Sequence, residues 1–181
     1  MIKVYVSRFN RETDTEPHLE WYEIEKTPHM KVLDALQAIN DKYDADISFR
    51  SSCRAGQCGS CGILFKGNGA LACQKEISDG AIIEPLKFPI IKDLIVDKSS
   101  IEAKVKDLDL SLQCDHKNEL DNTITKEETK DTKKVRSCIE CYSCLSTCPV
   151  VNIATEEFGG PYLMRYIDKF ETDPRESFDR S

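Results

Sequence analysis

The sequence predicts a protein of the α+β class, in which a small mixed sheet crossed by one helix comes first and helices follow. Residues 2–7 alternate between apolar and polar side chains, the period of two that is typical of a half-buried strand. Residues 32–39 place apolar side chains at i, i+3, i+4 and i+7, which forms one stripe on a helix. Residues 63–71 combine short apolar segments with glycines, the pattern of strands joined by a turn.

The first strand is expected to pair with a second one around residues 21–24, through a long polar connection. Trp21 and Tyr22 lie on opposite faces of that strand, and the alternation leaves open which of them is buried. Residues 63–65 then form a strand that leaves the first group of cysteines, and residues 67–69 turn the chain back. These elements complete the predicted sheet.

The rear of the chain is predicted to be helical. Residues 89–112 look mildly amphipathic, and Pro161 suits the first turn of a last helix with an apolar stripe over residues 163–170. Residues 115–136 differ in composition, because twelve of them are charged, six of each sign. Such a stretch is typical of a linker or a solvated excursion. We therefore predict two domains, residues 1–100 and residues 101–181, the second containing this linker.

Composition excludes several classes of function. The 181 residues carry a formal net charge of −7, whereas binding nucleic acid requires clustered Lys and Arg. No apolar run approaches the ~20 residues that span a bilayer, and the N-terminus reads as a strand rather than a secretion signal. We therefore expect a cytoplasmic protein, whose only association with a membrane would be through partner subunits.

Eight of the nine cysteines fall into two tight groups, and only Cys114 stands alone. In a chain with no signal for an oxidising compartment, clustered cysteines favour metal ligation over disulfides. Structural zinc is the competing interpretation for both groups, although zinc sites usually combine two CxxC pairs at a wider separation. The three histidines lack ligand spacing to a cysteine, so surface or packing roles are expected for them.

The first group has the x4 and x2 spacing of a plant-type [2Fe–2S] ferredoxin loop, with a fourth cysteine further along. Its members are Cys53, Cys58, Cys61 and Cys73. Three thiolates on one loop must curl around two irons while the fourth arrives from a neighbouring strand. Five of the eight glycines fall between residues 56 and 69, which suits that curl and lets backbone N–H groups approach the sulfides.

The second group has the x2, x2, x3 spacing and the final Cys-Pro step of the bacterial ferredoxin run for a [4Fe–4S] cluster. Its members are Cys138, Cys141, Cys144 and Cys148. The last cysteine of such a run normally ligates the other cluster of a pair, and the chain holds a single run. The missing ligand could come from Cys114, from Cys148 folding back, or from sequence outside the chain. In the last case, the 181 residues would be part of a longer protein or a split subunit.

In this order, the two cysteine groups resemble the iron–sulfur subunits of succinate dehydrogenases and fumarate reductases. The likeness covers nearly the whole chain except residues 115–136. Its details look closest to the methanogen branch of the family, in which the thiols of coenzymes M and B supply the electrons. The segments that carry the resemblance are residues 50–62, 71–73, 84–86, 89–97, 138–141 and 160–161.

The resemblance implies a β-grasp [2Fe–2S] ferredoxin-like domain followed by the start of an all-α helical ferredoxin domain. It implies that the first cysteine group holds a [2Fe–2S] cluster, that Cys138, Cys141 and Cys144 hold a [4Fe–4S] cluster, and that Cys148 is one ligand of a third cluster. The substrate site for succinate or fumarate, an oxidoreductase reaction of the tricarboxylic acid cycle, would lie on a partner flavoprotein that contains FAD, so no catalytic residue is assigned here. A further subunit or a missing C-terminal part would connect to coenzyme thiols or a quinone.

A free ferredoxin-like electron carrier is the alternative function. An acidic surface suits docking on basic redox partners. Against it, the apolar stripe over residues 163–170 needs a cover, and the second cysteine group is incomplete. A regulator that senses iron or redox state would need a basic or partner-binding helix, which the sequence does not show.

Overall fold

The computed structural model describes residues 1–114, 123–154 and 158–179. Residues 115–122 of the predicted linker therefore lie outside the described residues. The strands are β1 (Ile2–Arg8), β2 (His18–Ile24), β3 (Gly62–Phe65), β4 (Asn68–Leu71), β5 (Ala81–Glu84), β6 (Ile90–Lys92) and β7 (Ile95–Val96). The helices are α1 (Val32–Tyr43), α2 (Ser99–Asp107), α3 (Thr129–Arg136), α4 (Ser143–Ser146), α5 (Pro149–Ile153) and α6 (Gly160–Glu171). We call residues 1–98 the front unit and the described residues from 99 onward the rear unit.

The main sheet of the front unit has the strand order β2-β1-β5-β3-β4. Strands β1 and β5 are parallel, and the other neighbours are antiparallel. The inner strands bury their apolar side chains against the predicted stripe of α1, which is confirmed as a core face. Complete burial of one aliphatic side chain contributes roughly 1.5–3 kcal/mol, so this face is the main source of stability for the unit.

The sheet also decides which residue of β2 is buried. Tyr22 is buried, and its hydroxyl accepts a hydrogen bond from Arg8 and donates one to Glu20. Trp21 is 56% exposed, with the ammonium group of Lys3 lying 4.4 Å from the centre of its ring. The phenol is the ring that can be buried here because its polar end finds partners.

The prediction that residues 89–112 are helical is wrong for their first half. Strands β6 and β7 form an antiparallel hairpin, and Asp93 turns between them with a φ of 47°. β-branched residues on both sides of this turn favour an extended backbone over a helix. The helix α2 begins only at Ser99. The turn after β3 also differs from the prediction, since β4 already begins at Asn68.

The last helix, α6, organises the rear unit. Its predicted apolar stripe faces the core of this unit, and Pro161 lies in its first turn, as expected. The stripe is therefore covered within the chain and does not by itself require a partner subunit. The buried residues from outside α6 that belong to the same apolar cluster are Ile101, Leu110 and Leu145.

The end of the predicted linker is structured. Residues 129–136 form α3, which packs on α6 and buries Thr132 completely. A short, highly charged helix leaves almost no apolar pattern in the sequence, and its order comes from tertiary contacts. Across the described residues, no helix is long and apolar enough to cross a bilayer.

Candidate metal centre

The first cysteine group lies on the loop that enters β3, and its fourth member is the second residue after the end of β4. Cys61 and Cys73 are buried, whereas the other two cysteines are exposed. The backbone N–H groups of Ala55 and Gln57 both donate to the sulfur of Cys53, at 3.4 Å each. Such N–H groups are donors that the sulfur of a metal-bound cysteine can accept hydrogen bonds from.

The exposed pair of thiols in this group is Cys53 and Cys58. The oxygen of the Ser60 hydroxyl lies 3.1 Å from the sulfur of Cys58. This hydrogen bond, with further contributions from the backbone and thiol of Cys53, lowers the pKa of Cys58 to about 6. The Cys58 thiol is therefore mostly deprotonated at neutral pH and ready to act as a ligand.

The buried pair is Cys61 and Cys73. Burial raises the pKa of Cys61, and the thiol of Cys73 adds to this effect. Burial also acts to raise the pKa of Cys73, but hydrogen bonds from the Gln74 side chain and from Cys61 outweigh it and lower the pKa. The amide nitrogen of Gln74 lies 3.6 Å from the sulfur of Cys73. Each buried sulfur thus has a polar neighbour.

The four thiols interact in pairs, Cys53 with Cys58 and Cys61 with Cys73. Among the described residues, no three His, Cys, Asp or Glu side chains converge where one metal ion could bind. A [2Fe–2S] cluster is held by four cysteines, two on each iron, so its ligands group in pairs. The pairing of the thiols fits such a cluster.

The second cysteine group lies on the segment that joins α3 to α5. Glu140 and Tyr142, on either side of Cys141, both have left-handed backbone angles, with φ of 54° and 60°. Partial desolvation raises the pKa of Cys144, and the thiols of Cys141 and Cys138 add to this effect. The thiols of Cys138 and Cys141 thus lie close enough to Cys144 to affect its pKa.

The remaining cysteines have different surroundings. Cys148 is half-buried and forms the N-cap of α5. Cys114 is also half-buried and lies near Arg175, whose pKa is raised mainly by its hydrogen bond to Asp173 and further by the Cys114 thiol. None of the nine cysteines, all of which lie in the described residues, forms a disulfide. Roles for Cys148 and Cys114 as ligands stay predictions.

Sequence reasoning missed Arg165 of α6, which supports the second cysteine group. Its Nη1 donates to the carbonyl oxygen of Val135 at 3.1 Å, and its Nη2 lies 3.5 Å from the carboxylate of Glu140. Its Nε and Nη2 are buried without a hydrogen-bond partner among the described residues. A basic residue on an amphipathic helix gives no sequence signal for such a role. The rings on which the guanidinium stacks are Tyr162 and Tyr166.

Asp93 is a second residue that sequence reasoning missed. This residue is only 2% exposed, and its carboxylate accepts hydrogen bonds from Arg8 Nε at 2.9 Å, the Phe9 N–H at 3.1 Å and the Ser48 N–H at 2.8 Å. Ser48 begins the segment that leads to Cys53, so Asp93 connects β1 and the β6–β7 turn to the start of the first cysteine loop. An aspartate between β-branched residues predicts a turn, but not this buried connection.

Comparison with known proteins supports the binding of iron–sulfur clusters. Residues 3–103 match the family described as "2Fe-2S iron-sulfur cluster binding domain". The chain is 54% identical over 181 residues to a subunit of the fumarate reductase (CoM/CoB) of Methanothermobacter marburgensis, and the match covers all of this chain and 36% of that relative. It is 34% identical to "Succinate dehydrogenase iron-sulfur subunit" of Coxiella burnetii, over 97% of this chain and 77% of that relative.

A solved structure extends the similarity to the three-dimensional fold. "Mycobacterium smegmatis Sdh1 complex in the apo form" contains a chain that superposes with a TM-score of 0.87 at 28% identity. The match covers 99% of this chain and 77% of that one, so it includes the rear unit as well as the sheet. The chain spans about a third (36%) of the length of the methanogen relative. On these matches, the chain belongs to the family of iron–sulfur subunits of fumarate reductases and succinate dehydrogenases.

Proposed function

We propose that this chain is an electron-transfer subunit. It relays single electrons between a flavoprotein subunit that contains FAD, where fumarate is reduced or succinate oxidised, and a distal donor or acceptor. The observation that carries the proposal is the pairing of four thiols around one loop, directly beside a second group of thiols. This arrangement offers two adjacent redox sites, which suits a relay whose substrate chemistry lies on a partner.

In this proposal the first group ligates a [2Fe–2S] cluster and the second group a [4Fe–4S] cluster, which supply one-electron redox chemistry when bound. The chain contributes ligands and hydrogen bonds. The N–H groups that point at Cys53 would favour the more negative, reduced state and so raise the reduction potential. Cys148 would be a ligand of a third cluster or the fourth ligand of the second. The remaining ligands would be Cys53, Cys58, Cys61, Cys73, Cys138, Cys141 and Cys144.

The proposal assigns the two ends of the chain to different domains. Residues 1–100 would form the β-grasp ferredoxin-type domain, and the main sheet with α1 supports this assignment. Residues 101–181 would begin a helical ferredoxin-type domain, which the helices from α2 to α6 support. The charged excursion over residues 115–136 would belong to this second domain.

The partners follow from the relatives. The name of the methanogen relative, which includes coenzymes M and B, supports thiol coenzymes as the distal electron donor. A quinone reached through another subunit is the second possibility for the distal site. In this proposal the chain is cytoplasmic and meets a membrane through such a subunit. A free carrier is not favoured, because the relatives are named as subunits of fumarate reductases and succinate dehydrogenases; whether the native protein purifies with a flavoprotein tests this.

The experiment is iron and acid-labile sulfide analysis with EPR on the anaerobically purified protein and three variants. Cys61→Ser should abolish the [2Fe–2S] signal and remove about two irons, whereas Cys141→Ser should affect only the other cluster. Cys114→Ser is the matched control outside both groups, and iron loss there would instead identify Cys114 as a ligand. Zinc in place of iron in the parent protein would overturn the proposal.

A further inference from the structure

The two cysteine groups touch through their backbones, and two glycines make the contact possible. A Cβ at Gly59 would lie 2.2 Å from the carbonyl oxygen of Ile139 and 3.0 Å from the backbone nitrogen of Cys141. A Cβ at Gly62 would lie 2.8 Å from the carbonyl oxygen of Cys141. A carbon atom cannot approach backbone atoms this closely without displacing them, so any side chain at either position would push the two loops apart.

Both glycines are sequence neighbours of cysteines in the first group. Gly59 directly follows Cys58, and Gly62 directly follows Cys61. On the other side the contact is made by Cys141, itself a member of the second group. Cys58 and Cys61 are therefore each one peptide bond away from a glycine that touches the backbone of Cys141. The contact leaves no space for a side chain between the two loops.

Further contacts hold the second loop in this place. The ring of Tyr142, next to Cys141, packs against the apolar cluster formed by Leu64, Leu86 and Val96 of the front unit. The ammonium group of Lys98 lies 4.6 Å from the centre of the same ring. These contacts make the glycine contact a fixed feature of the fold, because several kinds of interaction act on the same short loop. One residue pair adds a hydrogen bond, from the backbone N–H of Lys87 to the hydroxyl of Ser146 at 2.8 Å.

A glycine in a loop can also be required for its backbone angles alone, and the structure separates the two causes. Gly59 has a φ of 67°, which any larger residue adopts only with strain. Gly62 lies outside the left-handed region, so its requirement is the close contact alone. Gly67 and Gly80 have φ of 77° and 64°, and a Cβ on either would meet nothing within 4 Å. They share the backbone angle of Gly59 without its contact.

We infer that Gly59 and Gly62 are positioning residues of the electron relay, whose missing side chains set the separation between the two cysteine groups. The inference rests on the proposed function and deepens it, because it names the contact across which an electron passes. The step moves one electron: the site at one group is oxidised by one electron and the site at the other is reduced by one. No bond is made or broken and no proton moves.

The test compares Gly59→Ala and Gly62→Ala with the matched control Gly80→Ala in the purified, cluster-containing protein. EPR relaxation measurements report the magnetic interaction between the two reduced sites, and iron analysis reports their occupancy. In Gly59→Ala and Gly62→Ala we expect full iron content, a weaker magnetic interaction and a several-fold slower electron transfer between the sites. Gly80→Ala should match the parent protein in all three measurements.

Amide hydrogen exchange over residues 139–142 provides a readout that does not depend on redox activity. We expect faster exchange there in Gly59→Ala and Gly62→Ala and not in Gly80→Ala. Because Gly59→Ala also strains its own backbone, Gly62→Ala decides the matter if the first variant loses its cluster. An unchanged magnetic interaction in Gly62→Ala, or iron loss from the first group with unchanged exchange at residues 139–142, would overturn the inference. Absence of two iron–sulfur signals in the parent protein would overturn the proposed function itself, before any variant is compared.

Discussion

The two cysteine groups are built in different ways. The first group lies between strands of one sheet, buries two of its four sulfurs, and receives hydrogen bonds from its own loop. The second group lies on a segment of short helices with two left-handed residues, and its support comes from α6 and from the front unit. The difference teaches that the first group is shaped by its own unit, whereas the second depends on its neighbours. We therefore expect the first group to tolerate damage to the rear unit.

The largest effect is expected for Asp93→Ala. The substitution leaves the guanidinium of Arg8 and the N–H groups of Phe9 and Ser48 without their common acceptor. Removing one partner of a largely buried ion pair costs about 3 kcal/mol, so the free energy of unfolding of the front unit should fall by this amount. Urea denaturation followed by the fluorescence of Trp21, the single tryptophan, measures it directly because this residue lies in the front unit.

Asp46→Ala is the matched control for that change. The Asp46 carboxylate forms a comparable ion pair with Lys92 at 2.7 Å, but its side chain is 84% exposed. Solvent screens exposed pairs, so we expect a much smaller change in stability. Equal effects of the two substitutions would show that the buried hydrogen bonds of Asp93 stabilise the front unit no more than an exposed ion pair does. They would also weaken the comparison between the two cysteine groups.

A smaller effect is expected from acid in the rear unit. Asp173 is buried, and its hydrogen bonds with Arg175 are the main cause that lowers its pKa to about 2, with Arg136 of α3 adding to it. A carboxylate whose pKa is lowered on folding stabilises the protein above its unfolded pKa and loses that contribution as pH falls through the folded value. The contribution is about 2 kcal/mol at neutral pH and should disappear between about pH 4 and pH 2.

An acid titration followed by circular dichroism measures this loss in the parent protein and in Asp173→Asn. The variant should be less stable at neutral pH and should show less additional loss of helix in the acid range. Glu76→Gln in the front unit is the control, since Glu76 also has a lowered pKa, mainly through its hydrogen bond with Lys31, but is exposed. An identical acid response in the parent protein and Asp173→Asn would contradict the attribution of the acid-induced loss of stability to Asp173.

The smallest effect on stability is expected for Arg165→Met. The variant loses the hydrogen bond to the Val135 carbonyl and the ion pair with Glu140, but it also removes two buried donors without partners, so we expect a net cost of about 1 kcal/mol. The sharper readout is local: the EPR signal of the second cluster should change while that of the first stays as in the parent. Arg165→Lys keeps the charge but lacks the planar guanidinium group. We expect its stability and its EPR signal to lie between those of the parent protein and those of Arg165→Met. A change in the first signal as large as in the second would break the comparison.

The predictions that succeeded share one property. The stripes of α1 and α6 and the alternation of β1 are patterns within a single element, where the period of the backbone dictates which side chains share a face. The family could be predicted because the cysteine spacings are likewise short patterns, and of the predicted fold class the mixed helix and sheet content is confirmed. The hairpin over residues 90–96 was missed because an apolar run of that length fits a helix and a strand equally well, and the hydrogen bonds of Asp93 decide between them.

By itself, the sequence determined the chemistry of this protein: eight clustered cysteines, spaced for iron–sulfur clusters, with glycines between those of the first group. These features are local, so no long-range contact is needed to read them. Only the tertiary structure decided how the two groups meet and what supports them. Asp93 and Ser48 are 45 residues apart, and Gly59 meets Cys141 from another part of the chain. Such contacts depend on how distant segments pack, and the spacing of residues along the chain does not predict that packing.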